Sequence, residues 1–175
     1  SAKIPRKAAL QRYQDVPFAL KCLRESHDLD SEIHALMDLE NIGMSGHSFG
    51  AGTTQIMAGQ TLGKGRLLYQ FKQDDFKAGI VYSPIPSFNR QDNHKDIYGG
   101  IDIPLFHMTG TDDLSPLDNQ GHEVRLEIFD AVHKAEQHLF VLEDGDHMIY
   151  SGSRGQLEEN PNREHHEHLI LVASL

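Results

Sequence analysis

The pentapeptide Gly46-His47-Ser48-Phe49-Gly50, a G-x-S-x-G pattern, constrains this chain more than any other stretch of it. It follows the apolar run Ile42-Gly43-Met44 and precedes Ala51-Gly52-Thr53-Thr54-Gln55-Ile56-Met57-Ala58, a proline-free segment rich in small residues. A strand, a sharp turn and a helix account for all three parts. The turn leaves no room for side chains on the flanks of the serine, which glycines at 46 and 50 satisfy, and it lifts the Ser48 hydroxyl off the strand end. Small residues beyond it let the helix lie close on its strand. A pattern with three fixed positions also arises by chance, so taken alone it fits a plain corner as well as a catalytic serine.

A length of 175 residues suits one domain with one core, and a 38% apolar fraction before counting glycine is ordinary for a globular chain. No internal repeat, low-complexity segment or domain boundary is visible, so residues 1–175 read as a single unit. Acidic side chains outnumber basic ones 26 to 16, a formal net charge of −10. Nucleic acid and anionic membrane repel such a surface unless a basic patch is set aside. The one local cluster, Lys3, Arg6 and Lys7, reads as a solvated face at the amino end. Cys22 is the single cysteine, which excludes an intramolecular disulfide and a multi-cysteine zinc site, and its place on an apolar helix face reads as buried. No run of about 18 apolar residues is present to span a membrane. The chain starts at Ser1 with no initiating methionine and no signal peptide, so its true beginning is expected upstream and its compartment stays open.

Residues 16–26 are predicted to form a helix, with Asp15 as N-cap, Pro17 in the first turn, and Phe18, Leu20, Cys22 and Leu23 as its apolar side. Ser31 is placed as the cap of a shorter second helix. Asn41–Ser45 is the strand before the turn, 49–60 the helix after it, and Gly63-Lys64-Gly65-Arg66 a loop. Ala78–Ser83, Ile103–Met108 and His138–Leu142 are predicted strands, the second stopped by Thr109-Gly110. The segment between the first two is long enough to be a functional loop over a site. Val124, Ile128, Phe129 and Val132 recur at helical spacing, predicting a helix over 119–135, and Leu169–Val172 belongs to a last helix. Strands alternating with helices imply an α/β fold with a mainly parallel sheet.

Function in such a sheet sits at the carboxyl ends of the strands. Ser48 follows the first strand, Asp113 lies in Gly110-Thr111-Asp112-Asp113 after the third, and His147 lies in Gly145-Asp146-His147 after the fourth. The order serine, acid, histidine is the one used by α/β-hydrolases. With these residues the chain resembles the carboxyl-terminal part of an α/β-hydrolase, close to the dienelactone-hydrolase-like and platelet-activating-factor-acetylhydrolase-like branch. The resemblance is carried by Ile42–Ala51, Pro104–Asp113 and Asp144–Met148, and it covers nearly the whole chain.

The resemblance implies that Ser48 is a nucleophile, Asp113 the acid, His147 the general base, and the Phe49 N–H an oxyanion-hole donor. A serine hydroxyl is a weak nucleophile until an imidazole takes its proton, and a carboxylate keeps that imidazole in the right tautomer. The implied reaction is hydrolysis of a carboxylic ester through an acyl-enzyme, with no cofactor. The rival is a non-catalytic or incomplete hydrolase domain that binds a ligand or partner. Acyl transfer to an alcohol or amine would use the same residues.

Asp112 competes with Asp113 for the acid role, and the Gly-x-x-Asp spacing of the family favours Asp113. His47 reads as a pocket wall. His165, His166 and His168 read as a solvated helix end rather than a metal site, and Asp144 and Asp146 lack a second ligand cluster that would make them metal ligands. The family's first strands and its second oxyanion donor should precede residue 1. Asn41–Ser45 is therefore expected at an open sheet edge, with weak activity and self-association as consequences.

Overall fold

The computed structural model describes residues 6–25, 31–64, 67–87, 93–116, 120–152 and 160–175. Four strands, β1 (Ile42–His47), β4 (Phe76–Tyr82), β5 (Leu105–Asp112) and β6 (Gln137–Asp146), form a parallel sheet in the order β1-β4-β5-β6. Helices α1 (Arg6–Glu25), α2 (Ser31–Leu36), α3 (Phe49–Ala58), α4 (His94–Tyr98), α5 (Glu127–Ala131) and α6 (Arg163–Ser174) lie between and around the strands. The expected α/β fold with a parallel sheet is what the chain adopts. Among the described residues, β1 pairs with a strand on one side only, so it is the predicted edge. No helix among them is long and apolar enough to cross a membrane.

The first helix begins ten residues earlier than expected, at Arg6, which puts Pro17 in its interior. An interior proline costs about 3 kcal/mol through a lost hydrogen bond and a ring clash. Tyr13 and Leu20, one on each side of it, are buried against Ile56, Met57 and Phe76, with Leu10 and Val16 beside them. Each such side chain contributes roughly 1.5–3 kcal/mol, enough to hold the helix through the proline. Because the buried face runs through 13, 16 and 20, Phe18 is turned outward at 66% exposure, and Cys22 is exposed rather than buried.

Gly63 and Lys64, expected in a loop, belong to a hairpin of β2 (Leu62–Lys64) and β3 (Leu67–Tyr69). Gly63 takes a φ of 110° there, so the residue that breaks a helix is compatible with this hairpin. The predicted 119–135 helix is instead a 3₁₀ turn, His122–Arg125, followed by α5, with Ile128 and Val132 buried as the apolar periodicity requires. The presumed loop between β4 and β5 contains α4, whose Ile97 and Tyr98 join Ile101, Leu105 and Ile128 in the core.

Gly110, expected to end β5, lies inside it and pairs with Leu142 of β6. A Cβ at Gly110 would collide with the backbone of Gly145. The glycine thus serves a close approach, drawing together the strand ends that carry Asp113 and His147.

Candidate active site

Ser48 takes φ 55° and ψ −116° between β1 and α3, a conformation that costs a non-glycine residue about 1–3 kcal/mol. Its surroundings hold it there: the Ser48 N–H donates to the Tyr82 carbonyl at 2.9 Å, and the Gly52 N–H donates to the Ser48 carbonyl at 3.1 Å. A Cβ at Gly46 would run into the backbone of Gly50 and Ala51, so glycine is required at that flank. A Cβ at Gly50 meets nothing within 4 Å, so the expected crowding does not extend to it. The non-glycine residues of positive φ among those described are Ser48, Ser83 and Asp144, all toward the carboxyl ends of the strands.

A serine at a helix N-cap usually accepts a backbone N–H with its side chain. Ser48 makes no such bond. Its Oγ lies 3.0 Å from His147 Nε2 instead, and His147 Nδ1 lies 2.6 Å from Asp113 Oδ1. With the carboxylate able only to accept, Nδ1 carries the proton and Nε2 is free to accept from the serine hydroxyl. Asp113 is fully buried and Asp112 is exposed. The structure thus brings Ser48, His147 and Asp113 into one line and leaves Asp112 outside it. Phe49 opens α3, so its N–H belongs to the helix-start donors that lack an intrahelical acceptor, and its ring is covered by the Arg12 guanidinium at 4.9 Å.

Burial pushes the Asp113 carboxyl upward, but the His147 hydrogen bond, the Arg125 charge and the neighbouring Ser83 hydroxyl outweigh it and hold the group below the ordinary carboxylate value. That hydroxyl has no hydrogen-bond partner among the described residues, so the His147 bond and the Arg125 charge are the main causes of the lowering. The Thr109 hydroxyl donates to Asp113 Oδ2 at 2.9 Å. Together these keep the acid ionised in a dry position.

Two residues have more part in the site than the sequence implies. His47, placed as a pocket wall, directs Nε2 at the His147 carbonyl at 2.7 Å, with the two rings 4.8 Å apart. Burial, followed by the neighbouring His147, lowers its pKa. Arg125, which no motif singles out, is buried with an ion pair of 2.9 Å to Asp113. A charged residue in phase with Ile128 and Val132 on the apolar pattern is the signal that points to it.

The carboxylates beside His147 shape its loop. Asp146 accepts from the Met148 N–H at 2.7 Å and from Asn160 at 3.3 Å, and Asn160 also donates to the Asp144 carbonyl. His166, expected at a solvated end, is buried with Nε2 2.9 Å from the Glu143 carbonyl, whereas His165 and His168 are exposed. No group of three or more metal-ligating side chains occurs among the described residues. A cleft of about 150 Å³ opens beside Phe49, with Tyr13, Ile56, Leu62, Ile85 and Pro86 in its walls; Ser48 is one residue away from this lining.

No protein-family model matches the sequence, and no curated protein matches it significantly. Solved structures do match in three dimensions. One, named as a dienelactone hydrolase from Klebsiella pneumoniae subsp. pneumoniae, superposes with a TM-score of 0.58 at 14% identity, over 94% of this chain and 60% of that one. A truncated form of a carbohydrate esterase from gut microbiota gives 0.54 at 14% identity, over 78% and 61%. An acylaminoacyl peptidase of Pyrococcus horikoshii gives 0.54 at 16% identity, over 96% and 28%. This chain therefore spans about 60% of the length of the first two. Strand order, sharp serine turn and these superpositions together give the chain the α/β-hydrolase fold.

Proposed function

We propose that the protein is a serine hydrolase acting on a carboxylic ester through an acyl-enzyme. The observation that carries this reading is the unbroken line from Asp113 Oδ1 through His147 to Ser48 Oγ, at 2.6 and 3.0 Å, within the range for such a relay. His147 Nε2 takes the hydroxyl proton as Ser48 Oγ attacks the ester carbonyl, and the Phe49 N–H faces the developing oxyanion. The imidazolium, held by Asp113, then protonates the leaving alcohol. Water gives its proton to His147 as it attacks the acyl-enzyme, and the imidazolium returns that proton to Ser48 Oγ as the acid leaves. The apolar cleft beside Phe49 offers room for part of the substrate. The esterase and peptidase names among the matched structures agree with acyl chemistry as a class.

A fluorophosphonate probe tests this directly, because a serine hydroxyl without an activating base does not react with it. Labelling confined to Ser48, and lost in Ser48→Ala and His147→Ala, is the expected result. An unlabelled wild-type protein would favour the non-catalytic, ligand-binding reading instead.

A further inference from the structure

Arg125 is a buried cation, at 3% exposure. Its guanidinium reaches two strand ends at once. Nε donates to the Asp113 carbonyl at 3.1 Å and Nη2 to Asp113 Oδ1 at 2.9 Å, while Nη1 donates to the Pro84 carbonyl at 3.1 Å and lies 3.4 Å from that of Ser83. The first pair follows β5 and the second follows β4. A buried guanidinium needs an anion, and Asp113 is the one buried carboxylate among the described residues. Nη2 also comes within 3.3 Å of His147 Nδ1. Both nitrogens bear hydrogens directed at the same carboxylate oxygen, so this is a crowding of two donors around Oδ1 rather than a bond between them.

We infer that Arg125 is a positioning residue for the Ser48–His147–Asp113 line: its fork fixes the Asp113 carboxylate against two strand ends, and its charge limits how readily the Asp113–His147 pair takes up a proton. The inference rests on the hydrolase reading for its kinetic consequence. Orientation follows from the fork, because Oδ1 is held by Nη2 while the backbone of the same residue is held by Nε, leaving the carboxylate little freedom to rotate from His147. The charge effect has a definite sign. A fixed cation beside a titrating pair opposes protonation of that pair wherever the proton resides, so removing it raises the pair's proton affinity.

The rate of fluorophosphonate labelling is measured against pH for the wild type, Arg125→Met and Arg125→Lys, and the His147 imidazole is titrated by NMR in the same proteins. Both variants should label about 10- to 100-fold more slowly at the wild-type optimum, as expected for losing a hydrogen bond to a charged group. In Arg125→Met the acid limb of the profile and the imidazole midpoint should both move up by about one pH unit, while Arg125→Lys, which keeps the charge and loses the fork, should hold its midpoint. A purely structural arginine would lower the folded fraction without moving either midpoint. An Arg125→Met protein with unshifted midpoints, or an Arg125→Lys protein labelling as fast as wild type, overturns the inference. The lysine variant decides if the methionine one does not fold. Should the wild type itself not label, a shifted imidazole midpoint would still support the positioning of the pair, and only the nucleophile reading would fall.

Discussion

His47 Nε2 lies 2.7 Å from the carbonyl oxygen of His147, so the residue before the serine braces the backbone of the residue that faces it. Because a carbonyl only accepts, Nε2 of His47 carries a hydrogen. The turn that raises Ser48 and the loop that carries His147 are thereby tied across 100 residues of sequence.

Loss of that tie should loosen the Ser48–His147 distance without touching either side chain. His47→Phe keeps a ring of similar size and removes the donor, and should slow Ser48 labelling about 3- to 10-fold, the range of one neutral hydrogen bond. His47→Gln, which retains an N–H, should recover part of the loss. Equal labelling rates in His47→Phe and wild type would show that the contact is incidental.

The two adjacent aspartates separate cleanly. Asp112 is exposed, so Asp112→Asn should leave ester hydrolysis and labelling near wild type. Asp113→Asn keeps the shape but donates where His147 needs an acceptor, which forces the wrong tautomer and should cost on the order of 10⁴-fold in turnover. The comparison uses one p-nitrophenyl ester on both variants. A severe loss in Asp112→Asn with a mild one in Asp113→Asn would reverse the assignment.

Much of this site is legible in the sequence because buried parallel strands read as apolar runs and the polar residues that follow them fall on one edge of the sheet. Ser48, Asp113 and His147 are found that way. What misleads is local punctuation judged without its tertiary partner: Pro17 reads as a helix start although packing of Tyr13 and Leu20 carries the helix through it, and Gly110 reads as a strand end although it marks where β5 meets Gly145. Arg125 escapes for a different reason. Its partners, Asp113 and the Pro84 carbonyl, lie 12 and 41 positions away, and no short motif records a contact of that span.

Acid should destabilise the protein in two stages. Burial lowers the pKa of His47 and of His107, a buried residue of β5, below the free value of 6.5, so the unfolded chain binds more protons than the folded one once pH drops below about that value, and stability falls. Asp113 is held below its free value of 3.8, so the stability it contributes is present above that value and is lost as pH falls through its lower folded value. Urea midpoints measured from about pH 8 to pH 3 should decline in both windows. Asp113→Asn should shrink the lower stage, to which Asp38 also contributes through its hydrogen bonds with Asn41 and the Glu40 N–H, and leave the upper one. A midpoint that climbs on acidification from about pH 7 to pH 5 would contradict the sign derived for the two histidines.

The open side of β1 offers the last expectation. Ile42–His47 pairs with Phe76–Tyr82 and, among the described residues, with no other strand, which leaves its outer N–H and C=O groups without a ladder partner there. Phe18, Ile33 and Leu36, on α1 and α2, are exposed apolar side chains as well. Such an edge invites pairing with a second copy. We expect concentration-dependent sedimentation, with dimers or larger species forming as loading increases. Gly43 is exposed on this strand, and a Cβ there meets only the Ala78 carbonyl at an ordinary 3.6 Å, so Gly43→Lys can set a charge on the edge without repacking the sheet. That variant should sediment as a monomer while labelling at Ser48 as the wild type does. If the wild type is monomeric at every concentration, or if Gly43→Lys associates as strongly as it does, the edge is not the route by which copies meet.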